Sequence, residues 1–98
     1  MNKPYYTDYV RHALRFYTRN PNPTFHTEVD KNNWYACHNA FKPYSDKDKE
    51  ILISVYSGYD TLADEVYGAA KKYQINQNLI WDLMKDFERK VAKRRGLL

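Results

Sequence analysis

Ninety-eight residues, 43% apolar and 29% charged with three glycines and four prolines, describe one small globular domain with chain enough for four or five helices, and exclude a loop-built or low-complexity protein. No apolar run approaches the roughly 20 residues of a membrane span, Met1-Asn2-Lys3-Pro4 lacks the apolar block of a secretory signal, and Cys37 stands alone, so a cytoplasmic protein without membrane or internal disulfide is expected. The net charge of +4 is uneven: six Lys or Arg face three Asp or Glu in residues 1–42 and again in 74–98, whereas four face six in 43–73.

The first helix is expected to open near Pro4, whose missing N–H costs nothing at a helix start. Tyr6, Val10, Ala13, Leu14 and Tyr17 form its apolar stripe, widened by Tyr9 and Phe16, and Asn20-Pro21-Asn22-Pro23 ends it. Thr24 to Val29 has no clear period and reads as a short extended piece or plain loop. Asp30 is the expected N-cap of a second helix, in which Trp34, Cys37, His38 and Phe41 share a face and which Lys42-Pro43 closes. Ser45 caps a third, with Asp48 placed to reach back as in a capping box. That helix buries Ile51, Leu52, Val55 and Tyr56, and Gly58 is expected to end it in a left-handed conformation.

Thr61, again with an acid three residues on at Asp64, caps a fourth helix carrying Leu62, Val66, Ala69, Ala70 and Tyr73 on one face. Only Gln74-Ile75-Asn76 separates it from a fifth, capped by Asn76, where Ile80, Leu83, Met84, Phe87 and Val91 repeat the pattern. So short a turn lets two apolar faces meet steeply only if one of its residues plugs the gap, and Ile75 is the apolar candidate. The expected fold is all-α: about five helices in one domain, residues 1–43 forming an N-terminal helical part and residues 44–98 ending in a helix-turn-helix whose last helix faces outward.

Tyr44-Ser45-Asp46-Lys47-Asp48-Lys49-Glu50-Ile51-Leu52, then Val55-Tyr56, then Ala70, Ile75, Ile80 and Leu83 follow one family pattern in spacing and residue class. Residues 44–95 thereby resemble region four of the bacterial sigma factors and its phage relatives, small transcription activators built on the same fold. Ala70 stands where the motif wants a small residue and Ile75 where it wants an apolar turn residue. Gln74 stands where it usually has Gly, so a left-handed backbone there carries a side-chain penalty. The helix from Thr61 to Tyr73 is longer than the family's, and residues 1–43 have no counterpart in it. The resemblance implies a DNA-binding transcription regulator, encoded by a phage or other mobile element, with duplex DNA as partner and RNA polymerase or a second copy of the chain as further candidates.

Rotation by about 100° per residue sets Asn78, Asp82, Lys85, Arg89 and Lys93 opposite the apolar face of the last helix, flanked by Gln77 and Trp81. Asn and Gln pair with adenine and Arg or Lys with guanine, whereas phosphates take cations without regard to sequence. Gln77, Asn78 and Lys85 are therefore the candidate base contacts, and Arg89, Lys93, Arg94 and Arg95 the candidate phosphate contacts. Arg89, Lys90, Lys93, Arg94 and Arg95 put five cations into seven residues, a cluster that suits a polyanion but also a solvated helix end complementing the helix dipole. Asp82 and Asp86 oppose phosphate. Of ten tyrosines, Tyr6, Tyr17, Tyr56 and Tyr73 fall on core stripes, and Tyr5, Tyr9, Tyr35, Tyr59 and Tyr67 are expected at the surface. Those tyrosines and the two acids support the alternative, a helical protein–protein interaction module or homodimer without DNA binding.

Enzymatic chemistry is not expected. Cys37-His38, with His12 and His26 elsewhere, lacks the paired spacing of a zinc site, and adjacent helical residues point about 100° apart and cannot share a proton in place. Asp46, Asp48 and Glu50 sit at a helix start, where the dipole favours them, and there is no glycine-rich phosphate loop. No metal, cofactor or small-molecule substrate is anticipated.

Overall fold

One helix touches all four others and keeps its outer face in solvent. In the computed structural model, which describes residues 3–98, the chain runs α1 (Thr7–Arg19), α2 (Glu28–Phe41), α3 (Asp46–Ser57), α4 (Leu62–Tyr73) and α5 (Gln77–Arg94), with no strand among the described residues. α1 packs on α2 and α3, α3 packs on α4, and α5 touches all four. The core is one cluster drawn from every helix, with Val10 and Leu14, Cys37, Leu52 and Tyr56, Val66, and Met84 and Phe87 at its centre. The molecule measures 38 × 32 × 26 Å. No helix among the described residues is long and apolar enough to cross a membrane.

The caps show which local signals prevailed. Ser45, Thr61 and Asn76 cap α3, α4 and α5 through their side chains, as expected. For α2 the cap is Thr27, not Asp30: the Thr27 hydroxyl accepts from the Asp30 amide, so the helix starts three residues earlier and takes in Glu28 and Val29. Thr27 and Asp30 are both good caps three residues apart, and the first in the chain prevails because an acid at the third helical position suits the dipole. α1 begins at Thr7 instead of Pro4, after a turn in which the Thr7 amide bonds the Pro4 carbonyl. The Tyr5 hydroxyl, in the same turn, donates to the Leu97 carbonyl and ties the two ends of the chain together.

The end of α3 departs from expectation for a non-local reason. Gly58 has φ −69° and ψ 159°, an extended conformation and not a left-handed one. Arg19, at the end of α1, donates from Nε to the Ser57 carbonyl at 3.2 Å and from its terminal nitrogen to the Gly58 carbonyl at 2.5 Å. A guanidinium from a neighbouring helix thus satisfies two carbonyls at the end of α3. The left-handed glycine is instead Gly96, φ 73°, where the Leu97 amide returns to the Ala92 carbonyl and Leu97 folds back onto the core.

On α2 the buried face is Asn33, Ala36, Cys37, Ala40 and Phe41, rotated slightly from the expected stripe. Trp34 and His38 are half-buried at its edge, because each has a polar tip to satisfy. Trp34 Nε1 donates to the Asn20 carbonyl at 3.0 Å, and His38 Nδ1 lies 3.1 Å from the Tyr17 hydroxyl. Of the four tyrosines expected in the core, Tyr6 and Tyr56 are buried and Tyr17 and Tyr73 only half-buried against it, while Tyr5, Tyr9, Tyr35, Tyr59 and Tyr67 are exposed as expected.

The least expected core residue is Glu88, 3% exposed on α5. Its Oε2 accepts from Arg11 Nε at 3.0 Å and from the Tyr56 hydroxyl at 2.5 Å, so one carboxylate joins α1, α3 and α5. Burial and the neighbouring carboxylate push the Tyr56 hydroxyl well above the ordinary tyrosine range, keeping it a donor. Removing one member of such a group leaves the others buried and unpaired. Glu88→Ala should cost about 3 kcal/mol in urea unfolding, and Tyr56→Phe about 2 kcal/mol through loss of a hydrogen bond to a charge. A cost below about 0.5 kcal/mol for either, the level of an ordinary surface change, would show that the group is not a structural bolt.

Candidate nucleic-acid interface

The turn before α5 determines how that helix is presented. Gln74 adopts φ 55° and ψ 48°, the one non-glycine residue with positive φ among the described residues. Its amide and that of Ile75 both reach the Ala70 carbonyl, the latter at 3.1 Å, which closes α4 and reverses the chain. Ile75 is then half-buried against the core between the two helices, and the Asn76 carboxamide oxygen accepts from the Asn78 amide at 2.7 Å to start α5. The side-chain penalty anticipated at Gln74 is therefore present, offset by the burial of Ile75 next to it.

From this start α5 keeps Ile80, Met84, Phe87 and Val91 in the core and turns Gln77, Asn78, Asp82, Lys85, Arg89, Lys93 and Arg94 to solvent. The fold distributes these residues into three groups. Gln77 and Asn78 border the groove at the turn, beside Tyr67 and Lys71 of α4. Lys85 and Arg89 border a cavity shared with the start of α1, where Lys3 and Arg11 add two more cations. Lys93 and Arg94 lie with Lys90 on the other flank of α5, next to Ala40 and Pro43. Arg95 shares a further groove, against α2, with Arg94. It is half-buried, and its Nε donates at 2.5 Å to Asn33 Oδ1, which also accepts from the Tyr9 hydroxyl at 3.1 Å. That guanidinium fastens the end of α5 to α2.

The two acids of the outward stripe behave differently. Asp86 accepts from the Tyr44 hydroxyl at 2.6 Å and pairs with Lys90 at 3.0 Å, and the Lys90 ammonium lies 4.5 Å from the Tyr44 ring centroid. The Tyr44 and Lys90 bonds hold the Asp86 carboxyl below its ordinary value of 3.8. Burial, and then the Asp86 carboxylate, raise the Tyr44 hydroxyl. Asp82 has no salt-bridge partner among the described residues, so it alone projects an uncompensated negative charge from the stripe. The contacts of Tyr44 with Asp86 and Lys90, and of Arg11 with Glu88, are not legible in the sequence. Tyr44 appears in the sequence only as the aromatic before Ser45, and Arg11 only as a cation bordering the α1 stripe between Val10 and Leu14.

Trp81 is half-buried against the core, with the Arg11 guanidinium 5.9 Å from its ring centroid. Cys37 is fully buried, and burial pushes its thiol up to about 12, so it stays protonated and packs as a small apolar residue. Among the described residues no three His, Cys, Asp or Glu side chains stand together as a metal site requires. Comparison with protein-family models, with curated proteins and with solved structures finds no match to this chain. The likeness to sigma region four thus stands on the residues quoted for it.

Two measurements probe this geometry. Gln74→Gly relieves the left-handed strain and should stabilise the protein by about 1 kcal/mol, seen as a raised urea midpoint; a lowered midpoint would mean that the Gln74 side chain contributes contacts outweighing the strain. Asp86, depressed in the folded state, contributes stability that is fully present above its unfolded value near 3.8 and lost as pH falls through the lower folded value. Tyr44→Phe should therefore flatten the fall of Tm below about pH 4, and an unchanged slope would remove Tyr44 from the account.

Proposed function

We propose that this chain is a non-enzymatic DNA-binding regulator of the helix-turn-helix type, resembling sigma region four, which inserts the N-terminal half of α5 into the major groove. The observation that carries this reading is the turn itself. A left-handed Gln74, a plugging Ile75 and a capping Asn76 occur in three consecutive residues and project Gln77 and Asn78 from the first turn of the following helix. Gln77, Asn78 and Lys85 take the base edges, and Arg89, Lys93 and Arg94 take phosphates. Arg95, already bonded to Asn33, contributes less to phosphate binding than the other cations. The compensation of Asp86 by Lys90 and Tyr44 also favours this reading, since it leaves one repelling carboxylate on the stripe instead of two.

A second reading, a protein-interaction module, draws on Leu79. That residue is 61% exposed at the lip of a groove floored by Ile51, Ile75, Ile80 and Leu83. Leucine in that place suits either a partner's apolar side chain or a thymine methyl.

Fluorescence anisotropy with mixed duplex fragments at about 50 and 200 mM salt separates the two, because a protein making several phosphate contacts loses orders of magnitude in affinity over that range. Asn78→Ala and Lys85→Ala should weaken binding to a selected site more than to random DNA, while Arg94→Ala weakens both and reduces the salt slope by about one. No binding at low salt would leave the interaction module as the reading, and equal effects of all three changes on every sequence would remove the base contacts.

A further inference from the structure

The cavity between the start of α1 and the middle of α5 is not explained by DNA contact. It encloses about 380 Å³, within the range of small-molecule sites. Pro4, Tyr6 and Thr7 supply one wall, and the Tyr6 and Thr7 side chains are buried there. Lys3, Arg11, Lys85 and Arg89 surround it, and its single carboxylate is Glu88. That acid is already taken up by Arg11 and Tyr56, and Lys3 is paired with Asp8 at 2.6 Å. Lys85 and Arg89 have no salt-bridge partner among the described residues, so the cavity carries two uncompensated positive charges over a partly apolar wall.

A phosphodiester answers the charges of Lys85 and Arg89 but offers no apolar body to lie against the Pro4 and Tyr6 wall. The matching ligand has both: one anionic head, a carboxylate, sulfonate or phosphate monoester, for Lys85 and Arg89, and a ring-sized apolar body for the wall. We propose that this cavity binds a small amphipathic organic anion. On the DNA reading of the preceding subsection, the same ligand competes with nucleic acid, because its head occupies Lys85 and Arg89.

The probe is 8-anilinonaphthalene-1-sulfonate, with N-phenyl-1-naphthylamine as the matched body without the charge. The intact protein should bind the sulfonate at a single saturable site by fluorescence titration. The double variant Lys85→Ala/Arg89→Ala, whose side chains are exposed and whose Tm should be unchanged, should bind it about tenfold or more weakly. The neutral probe should bind wild type no better than the double variant does. Equal affinity of wild type and variant for the sulfonate, or equal affinity of wild type for both probes, overturns the proposal. Added to a complex with labelled duplex, the sulfonate should release the DNA, and retention of DNA at saturating probe overturns the competition. Failure to bind DNA at all would sink the regulator reading while leaving the probe titration to decide the cavity by itself.

Discussion

A carboxylate with almost no access to water must be compensated by groups held in fixed places, and Glu88 is compensated by residues from two other helices. Arg11 comes from α1 and Tyr56 from α3, and both meet the same oxygen. Because α5 touches all four other helices, this fixes its rotation about its own axis. A slip of one residue would turn Glu88 by about 100° and carry its carboxylate away from both donors. The identity of the outward face of α5, and so of every residue assigned to an interface, depends on that register. Part of the compensation also comes from residue 11, in the portion of the chain without a counterpart in sigma region four. The first two helices therefore do more than cover the back of the helix-turn-helix. They supply the cation that sets its last helix in place.

The same helix carries a gradient of charge. Its first turn has polar, uncharged Gln77 and Asn78, its middle has Asp82, Lys85 and Asp86, and its end has Lys90, Lys93 and Arg94. Cations at the C-terminal end complement the helix dipole, and uncharged amides at the N-terminal end leave the backbone N–H groups there as the source of positive potential. The uncharged polar side chains of the first turn thus sit apart from the cations of the last. Asp82, the remaining uncompensated acid, lies at the boundary between them.

Much of this was legible because it is local. Ser45, Thr61 and Asn76 cap their helices within three residues of chain, and the α3, α4 and α5 stripes show their period without help from elsewhere. Tyr5, Tyr9, Tyr35, Tyr59 and Tyr67, expected at the surface, are all exposed. What escaped was non-local. Glu88 lies beside the apolar stripe of α5, four residues after Met84, but the spacing does not show that Arg11, 77 residues away, pairs with it. Gly58 reads as a left-handed stop until Arg19 is found on its carbonyl. Arg95 is the last of a run of cations in sequence and a bond to Asn33 in space. In each case a long basic side chain crosses between helices, and nothing in the spacing of residues says which arginine will do so. Asp30 was a different kind of error, a choice between two adequate caps.

The placing of cations around α5 bears on how a polyanion could lie against it. At about 100° per residue, Lys85 and Lys90 project roughly 140° apart, with Arg89 and Lys93 between them and Arg94 slightly beyond Lys90. Lys85 and Arg89 face the start of α1, and Lys90, Lys93 and Arg94 face the end of α2. The positive charge therefore spreads over about half of the helix circumference, in steps of roughly 40 to 60°. A helix with its side chains is about as wide as the major groove, roughly 12 Å, so a helix seated there has a phosphate backbone along each flank. Lys90 is shared with Asp86, so the charge facing the end of α2 rests chiefly on Lys93 and Arg94. Lys85 and Arg89 stand over the cavity beside Tyr6 with no salt-bridge partner among the described residues, so their charge is the part most open to the proposed ligand.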